Sequence, residues 1–418
     1  LLYRTQDLLY RTQADYDFAM TSLAFRTSPL FIIDGHADTP QRLLDEQYDL
    51  AAPLGHGNLN FDSARTGNLG AEFFAIWVQP ERHKGRYAHR ALELIDAVYR
   101  QAEKHPDRMA LATGPDELLK ANSDGKLAVL LGIEGGHAIE NSLALLRLYH
   151  RLGVRYMTLT WANSNDWADS SADIEDASIP HTDDGLTGFG EQVVLEMNRL
   201  GMMVDISHVA DRTFERVLAT SKAPVFASHS CARALCDSPR NLTDEMLRAV
   251  AAQGGLVMVN FYSAFLSNEY REAALAQRAE IDTAEAALRK QAAKEGRIIP
   301  PAEIEALIRS YADRIPRPPF SLLIDHIDHI AKIAGIDHVG IGSDFDGVSG
   351  QMPEGMDSAA DMVKIEPALR ERGYSEQDCA KILSSNFLRY FREVQSQTAC
   401  AAGGHFVTRV LPAALERR

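Results

Sequence analysis

The chain has 418 residues, 45% of them hydrophobic and 24% charged, an ordinary globular composition with ample material for a core. Its 43 Lys and Arg against 58 Asp and Glu leave a formal charge of −15, which argues against a nucleic-acid or anionic-membrane surface. No apolar run approaches the roughly 20 residues of a membrane span, and Cys231, Cys236, Cys379 and Cys400 show no Cys-x-x-Cys pair or zinc-finger spacing, so free thiols are expected.

Residues 1–20 read as an N-terminal tail, in which LLYRTQ at 1–6 recurs at 8–13, too short and too terminal for a structural repeat. Residues 21–395 read as one domain and 396–418 as a C-terminal tail. Apolar, β-branched runs bounded by turn residues predict eight strands, near 31–35, 71–78, 127–133, 155–160, 202–207, 223–228, 255–260 and 338–343. Most are continuously apolar, as parallel strands covered on both faces must be.

Helical patterns fill the gaps. In 188–200, Phe189, Val193, Val194, Met197 and Leu200 share one face, and Gly201 is the stop. In 244–252, Thr243 is the expected N-cap, with Asp244 and Glu245 at the positive helix end. Residues 264–316, rich in Ala, Glu, Arg and Lys, predict a helical hairpin inserted between the last two strands: a solvated excursion, a lid or a dimer contact. The alternation of eight strands with helices predicts the fold class α/β, a (β/α)8 TIM barrel. Active sites of such barrels gather at the C-terminal strand ends.

Five of the strand runs end on residues able to hold a divalent ion: His36 and Asp38, Glu134, His208, His229, and Asp344. His36 and Asp38 stand two apart, so at a strand end both side chains point the same way and clamp one ion. His208 and His229 are 21 residues apart, room for one crossover helix, which places them on neighbouring strands around a second ion. Glu134, with two oxygens to share, is the candidate bridge. Imidazole and carboxylate suit zinc and related ions. Two such ions bring +4, which Glu134, Asp38, Asp344 and one bridging hydroxide offset. Asp344 is the candidate to orient that hydroxide and carry its proton to the leaving group.

Taken singly, each histidine is more often a hydrogen-bonded structural residue, and Asp344 a cap or turn residue; the coincidence on five strand rims favours a metal centre. His137, His326, His329 and His338 are expected to be structural or surface residues.

These residues, with Gly342-Ser343-Asp344-Phe345-Asp346-Gly347, Gly153 to Thr160 and Arg240-Asn241, resemble the renal, or membrane, dipeptidase family of the amidohydrolase superfamily over residues 30–395. The resemblance implies a TIM barrel of the metal-dependent hydrolase type and two zinc ions per chain: His36 and Asp38 on one, His208 and His229 on the other, Glu134 bridging. It implies that Arg240, otherwise a surface salt-bridge residue, holds the substrate carboxylate and that Asp344 meets its amino group and moves the proton; Tyr262, for which core packing is the alternative, and Trp161 are further substrate-contact candidates. Mammalian members carry a histidine after Leu-Thr of the fourth strand, where this chain has Trp161, an indole with one donor and no charge. Asn163 or Asn165 could then stand in as the carbonyl's donor.

The function expected is zinc-dependent hydrolysis of free dipeptides by a hydroxide bridging two ions, in a soluble form whose compartment is open. A homodimer follows from the resemblance alone. The rivals are another amidohydrolase reaction, on a cyclic amide, lactone or N-acyl amino acid, and a catalytically silent metal-binding protein.

Overall fold

The computed structural model describes residues 30–401, except 175–177, 183, 298 and 300. The 1–20 tail with its repeat, and the C-terminal tail beyond 401, lie outside these residues. Each predicted strand run forms a strand: β1 (Ile32–Ala37), β2 (Leu69–Trp77), β4 (Leu127–Glu134), β5 (Val154–Thr158), β6 (Met203–Asp205), β7 (Phe226–Ala227), β8 (Leu256–Val259) and β9 (Val339–Ile341). An unforeseen short strand, β3 (Met109–Leu111), pairs with the first residues of β4, along the edge that β5 takes higher up.

The ladders are all parallel, and the β2–β4 pairing closes the sheet into an eight-stranded barrel. Parallel strands need long crossovers, and helices supply them. The helix Gly188–Leu200 ends on Gly201 at φ +68°, a left-handed stop that glycine adopts without a Cβ clash. Asp244–Ala252 starts from Thr243, whose hydroxyl accepts from the Met246 N–H, a cap worth about 1 kcal/mol.

Alternation along the strands divides the core into two layers. Ile33, Phe73, Leu130, Tyr156, Phe226 and Met258 point into the barrel and meet Phe387, Tyr390 and Phe391 of the last helix, Asn386–Ala401. Phe74, Ile76, Val129 and Leu131 point outward under the surrounding helices. Asn386 donates to the carbonyls of Ile336 and Val339, at the start of β9, so the last helix plugs the N-terminal end of the barrel. The C-terminal ends are left for the site.

The insertion between β8 and β9 holds helices Ser263–Leu266, Asn268–Glu295 and Pro301–Ala312. It leans on the mouth: Arg309 donates to the His56 carbonyl, and the Tyr270 hydroxyl lies 3.3 Å from Gln351. Among the described residues no helix is long and apolar enough to cross a membrane.

Candidate metal centre

Glu134 is the last residue of β4, and its inward direction follows from Leu130 by alternation. His36 arrives differently. Strict alternation from Ile33 would turn it outward, but β1 carries a register irregularity between Asp34 and Ala37, and such a bulge re-aims side chains. Asp38 lies past the strand end, at the N-cap of the helix Thr39–Asp45, where its side chain makes no capping bond. The shared strand face expected for this pair is therefore replaced by a bulge and a helix start. His208 and Asp344 follow β6 and β9 with φ of +68° and +64°, conformations that cost a non-glycine residue about 1–2 kcal/mol and concentrate at functional sites.

The barrel mouth gathers all five expected ligands. His36 Nε2 lies 3.6 Å from Asp38 Oδ2 and 3.4 Å from Glu134 Oε2. The other oxygen, Oε1, is 2.9 Å from His208 Nε2 and 3.6 Å from His229 Nε2. Asp344 brings a carboxylate oxygen within 4.8 Å of ligand atoms of His36 and Asp38. Glu134 thus divides its oxygens between two groups of donors.

These residues fit a pair of divalent ions. His36 Nε2 and Asp38 Oδ1 are buried with no hydrogen-bond partner. His208 Nε2 and His229 Nε2 stand 3.0 Å apart, close to the roughly 3.3 Å separating two imidazole nitrogens on one tetrahedral zinc. Close packing carries the approach of the acids: a Cβ on Gly347 would sit 2.3 Å from Asp38 Oδ2 and 2.4 Å from Asp344 Oδ1.

A second set of residues orients the ligands, and the sequence reading missed it. Tyr156 Oη is 2.8 Å from His36 Nδ1. Ser228 Oγ is 2.7 Å from His229 Nδ1 and donates at 2.6 Å to Asp205 Oδ2, while Asp205 Oδ1 accepts from the Ser207 and Ser228 N–H groups. Each Nδ1 so engaged presents Nε2 to the site. The only local signal was the placement of Asp205 and Ser228 in the runs that end on His208 and His229.

The electrostatics leave a buried excess of acid. Burial, with the carboxylates of Asp38 and Asp344, pushes Glu134 up to about 7 against the pull of His36. Asp344 is raised by burial and by Asp38. Burial opposes charge on His36, but Glu134 and Asp38 outweigh it and hold its pKa well above the usual range. Burial first, then the charges of Arg240 and His36, hold His208 and His229 well below it. The neutral imidazoles of His208 and His229 beside crowded carboxylates are a donor set a cation favours, and a cation bound at His36 would take the place of its proton.

Arg240 is 8% exposed; it donates through Nη1 to Ser230 Oγ at 2.6 Å and through Nη2 to the His229 carbonyl at 2.7 Å. Three of its five N–H donors remain, including an unpartnered buried Nε. Asp344 accepts from Asn260 Nδ2 at 2.9 Å. Tyr262 sits edge-on to Phe265, with its hydroxyl 3.5 Å from Gln351, so it is engaged in packing at the root of the insertion. Trp161 lies against Trp77. Asn165 is spent on its own loop, donating to Leu159 and accepting from Trp167 and Ala168.

The other histidines hold structure: His137 contacts the Val78 carbonyl, His329 pairs with Asp244, and His338 meets the Gly255 carbonyl. A further group, Glu46, His56 and Glu305, sits where the insertion meets the barrel. Its carboxylates are also engaged by Arg42 and Arg309, as in a surface ion-pair network.

Comparisons with known proteins agree with this architecture. A family profile described as membrane dipeptidase (peptidase family M19) matches residues 25–402. Human dipeptidase 3 is 33% identical over 397 residues, covering 94% of this chain and 68% of that protein. The solved structure of a probable dipeptidase, PvdM, from Pseudomonas aeruginosa superposes with a TM-score of 0.73 at 25% identity, over 92% of this chain and 100% of that one. A metallo peptidase from Rhodobacter sphaeroides, liganded with a phosphinate mimic of the dipeptide L-Ala-D-Ala, gives 0.68 at 25% identity, over 88% and 100%. The chain therefore belongs to the membrane dipeptidase family, peptidase family M19, a family of metallo-dipeptidases that hydrolyse peptide bonds.

Proposed function

We propose that this chain hydrolyses free dipeptides with two zinc ions held at the barrel mouth. The observation that carries the reading is the division of Glu134, one oxygen toward His36 and the other toward His208 and His229. His36 and Asp38 would hold one ion, His208 and His229 the other, and Glu134 both. Zinc held by these residues would supply Lewis acidity, lowering the pKa of water toward about 7 and polarising a carbonyl.

The chain's own residues do the rest. Arg240, preset by Ser230 and the His229 carbonyl, offers its remaining donors to the substrate's carboxylate as a planar fork. Asp344, steadied by Asn260, meets the substrate amino group, takes the proton of the attacking water and delivers it to the leaving amine. Trp161, packed on Trp77, and Tyr262, edge-on to Phe265, would supply side walls for the substrate.

The test pairs metal analysis with product release. Purified protein should carry about two zinc ions per chain, lose dipeptide hydrolysis on chelation and regain it with zinc. Hydrolysis that survives complete metal removal would overturn the proposal.

A further inference from the structure

Trp77 and Trp161 bracket the end of β4. Trp77 is the register partner of Glu134 across the β2–β4 ladder, and alternation from the inward Phe73 turns its indole toward the barrel axis. Trp161 follows β5, on the other side of β4. The two ring centroids lie 4.8 Å apart at 57°. The Cβ of Trp161 lies 3.4 Å from where a Cβ on Gly135, the residue after Glu134, would stand. Both indoles are partly exposed, and neither belongs to the hydrophobic core or packs against it. The Trp77 indole N–H is buried without a hydrogen-bond partner, and the pair retains partial exposure at positions flanking Glu134.

Building on the dipeptidase reading, we propose that Trp77 and Trp161 form an aromatic platform for a large apolar side chain of the dipeptide. Bulky aliphatic and aromatic dipeptides are then the preferred substrate class. Indole faces offer broad dispersion contact and edge or offset stacking to a ring, with no charge of their own.

The test uses two substrate series on the zinc-loaded enzyme, Xaa-Ala and Ala-Xaa, with Xaa as Ala, Leu, Phe or Glu. In at least one series kcat/KM for Phe should exceed that for Ala by about five- to tenfold. Within each variant this ratio should collapse toward one in Trp77→Ala and Trp161→Ala, and be largely kept in Trp161→Phe, which retains a ring. A second readout is emission: Trp167 is 1% exposed, so a change on adding Phe-containing dipeptide to the chelated protein reports Trp77 and Trp161. Flat ratios in both series, or a preference that persists in both alanine variants, would overturn the platform while leaving the dipeptidase reading standing. A protein that cleaves no member of either series overturns both.

Discussion

The hydroxyl of Tyr156 stands 2.8 Å from Nδ1 of His36, joining residues 120 positions apart at the floor of the site. Burial raises the phenol well above its ordinary range, so it stays neutral and its oxygen can accept a hydrogen bond from Nδ1–H, leaving the Nε2 lone pair for a metal. Tyr156→Phe keeps the ring and removes that partner. Zinc affinity should fall about 10- to 100-fold, with activity lost at limiting zinc and recovered in excess. A zinc titration followed by activity and by bound metal checks this; unchanged affinity would remove Tyr156 from the site's support.

Arg240 yields a prediction that separates binding from chemistry. Losing charge-assisted hydrogen bonds to a carboxylate costs roughly 1.5–3 kcal/mol. Arg240→Ala should therefore raise KM for free dipeptides by about 10- to 100-fold, with little effect on the same dipeptides amidated at the C-terminus. Arg240→Lys should recover only part, because an ammonium cannot reproduce the planar fork. Equal losses on free and amidated substrates would show that Arg240 serves the fold instead.

His326 makes stability depend on pH. In the helix Ser321–Ala334, its Nδ1 accepts from the Ala232 N–H and its Nε2 donates to the Leu266 carbonyl, tying the loop that carries Arg240 to the root of the insertion. Burial, with the charge of His329, pushes its pKa down to about 4. The unfolded chain binds the proton more readily, so this contribution is complete above pH 6.5 and is lost as pH falls toward 4. Its full size is roughly 3 kcal/mol. His150, also pushed to about 4, contributes with the same sign. The comparison is therefore between the parent and His326→Gln, which should be less stable at pH 7 but lose less between pH 6.5 and 4. Parallel unfolding curves across that window would exclude the assignment.

The sequence made the barrel legible because parallel strands buried on both faces are unbroken apolar runs, and each run marked its own end. The same ends carried His36, Asp38, Glu134, His208 and His229, so the residues that the mouth gathers stood out before any geometry. Features that depend on pairing between distant strands did not. The bulge that turns His36 inward is a matter of register. Asp205 reaches His229 through the side chain of Ser228, and Trp77 meets a ring 84 positions later. The three-residue β3 was too short to show a period.

Asp344 sits close enough to His36 and Asp38 to serve as a ligand, yet Asn260 donates to one of its oxygens. A ligand and a proton carrier respond differently to Asp344→Asn. The amide can still accept a hydrogen bond and fill the same space, but it cannot take a proton from water at neutral pH. If Asp344 moves the proton, kcat should fall by about 10²- to 10⁴-fold while both zinc ions stay bound. If it mainly holds an ion, metal content should fall along with activity, and added zinc should restore part of the rate. Metal analysis of the variant beside its kcat decides between the two. The proton-carrier role requires two ions retained and a rate that added zinc does not rescue.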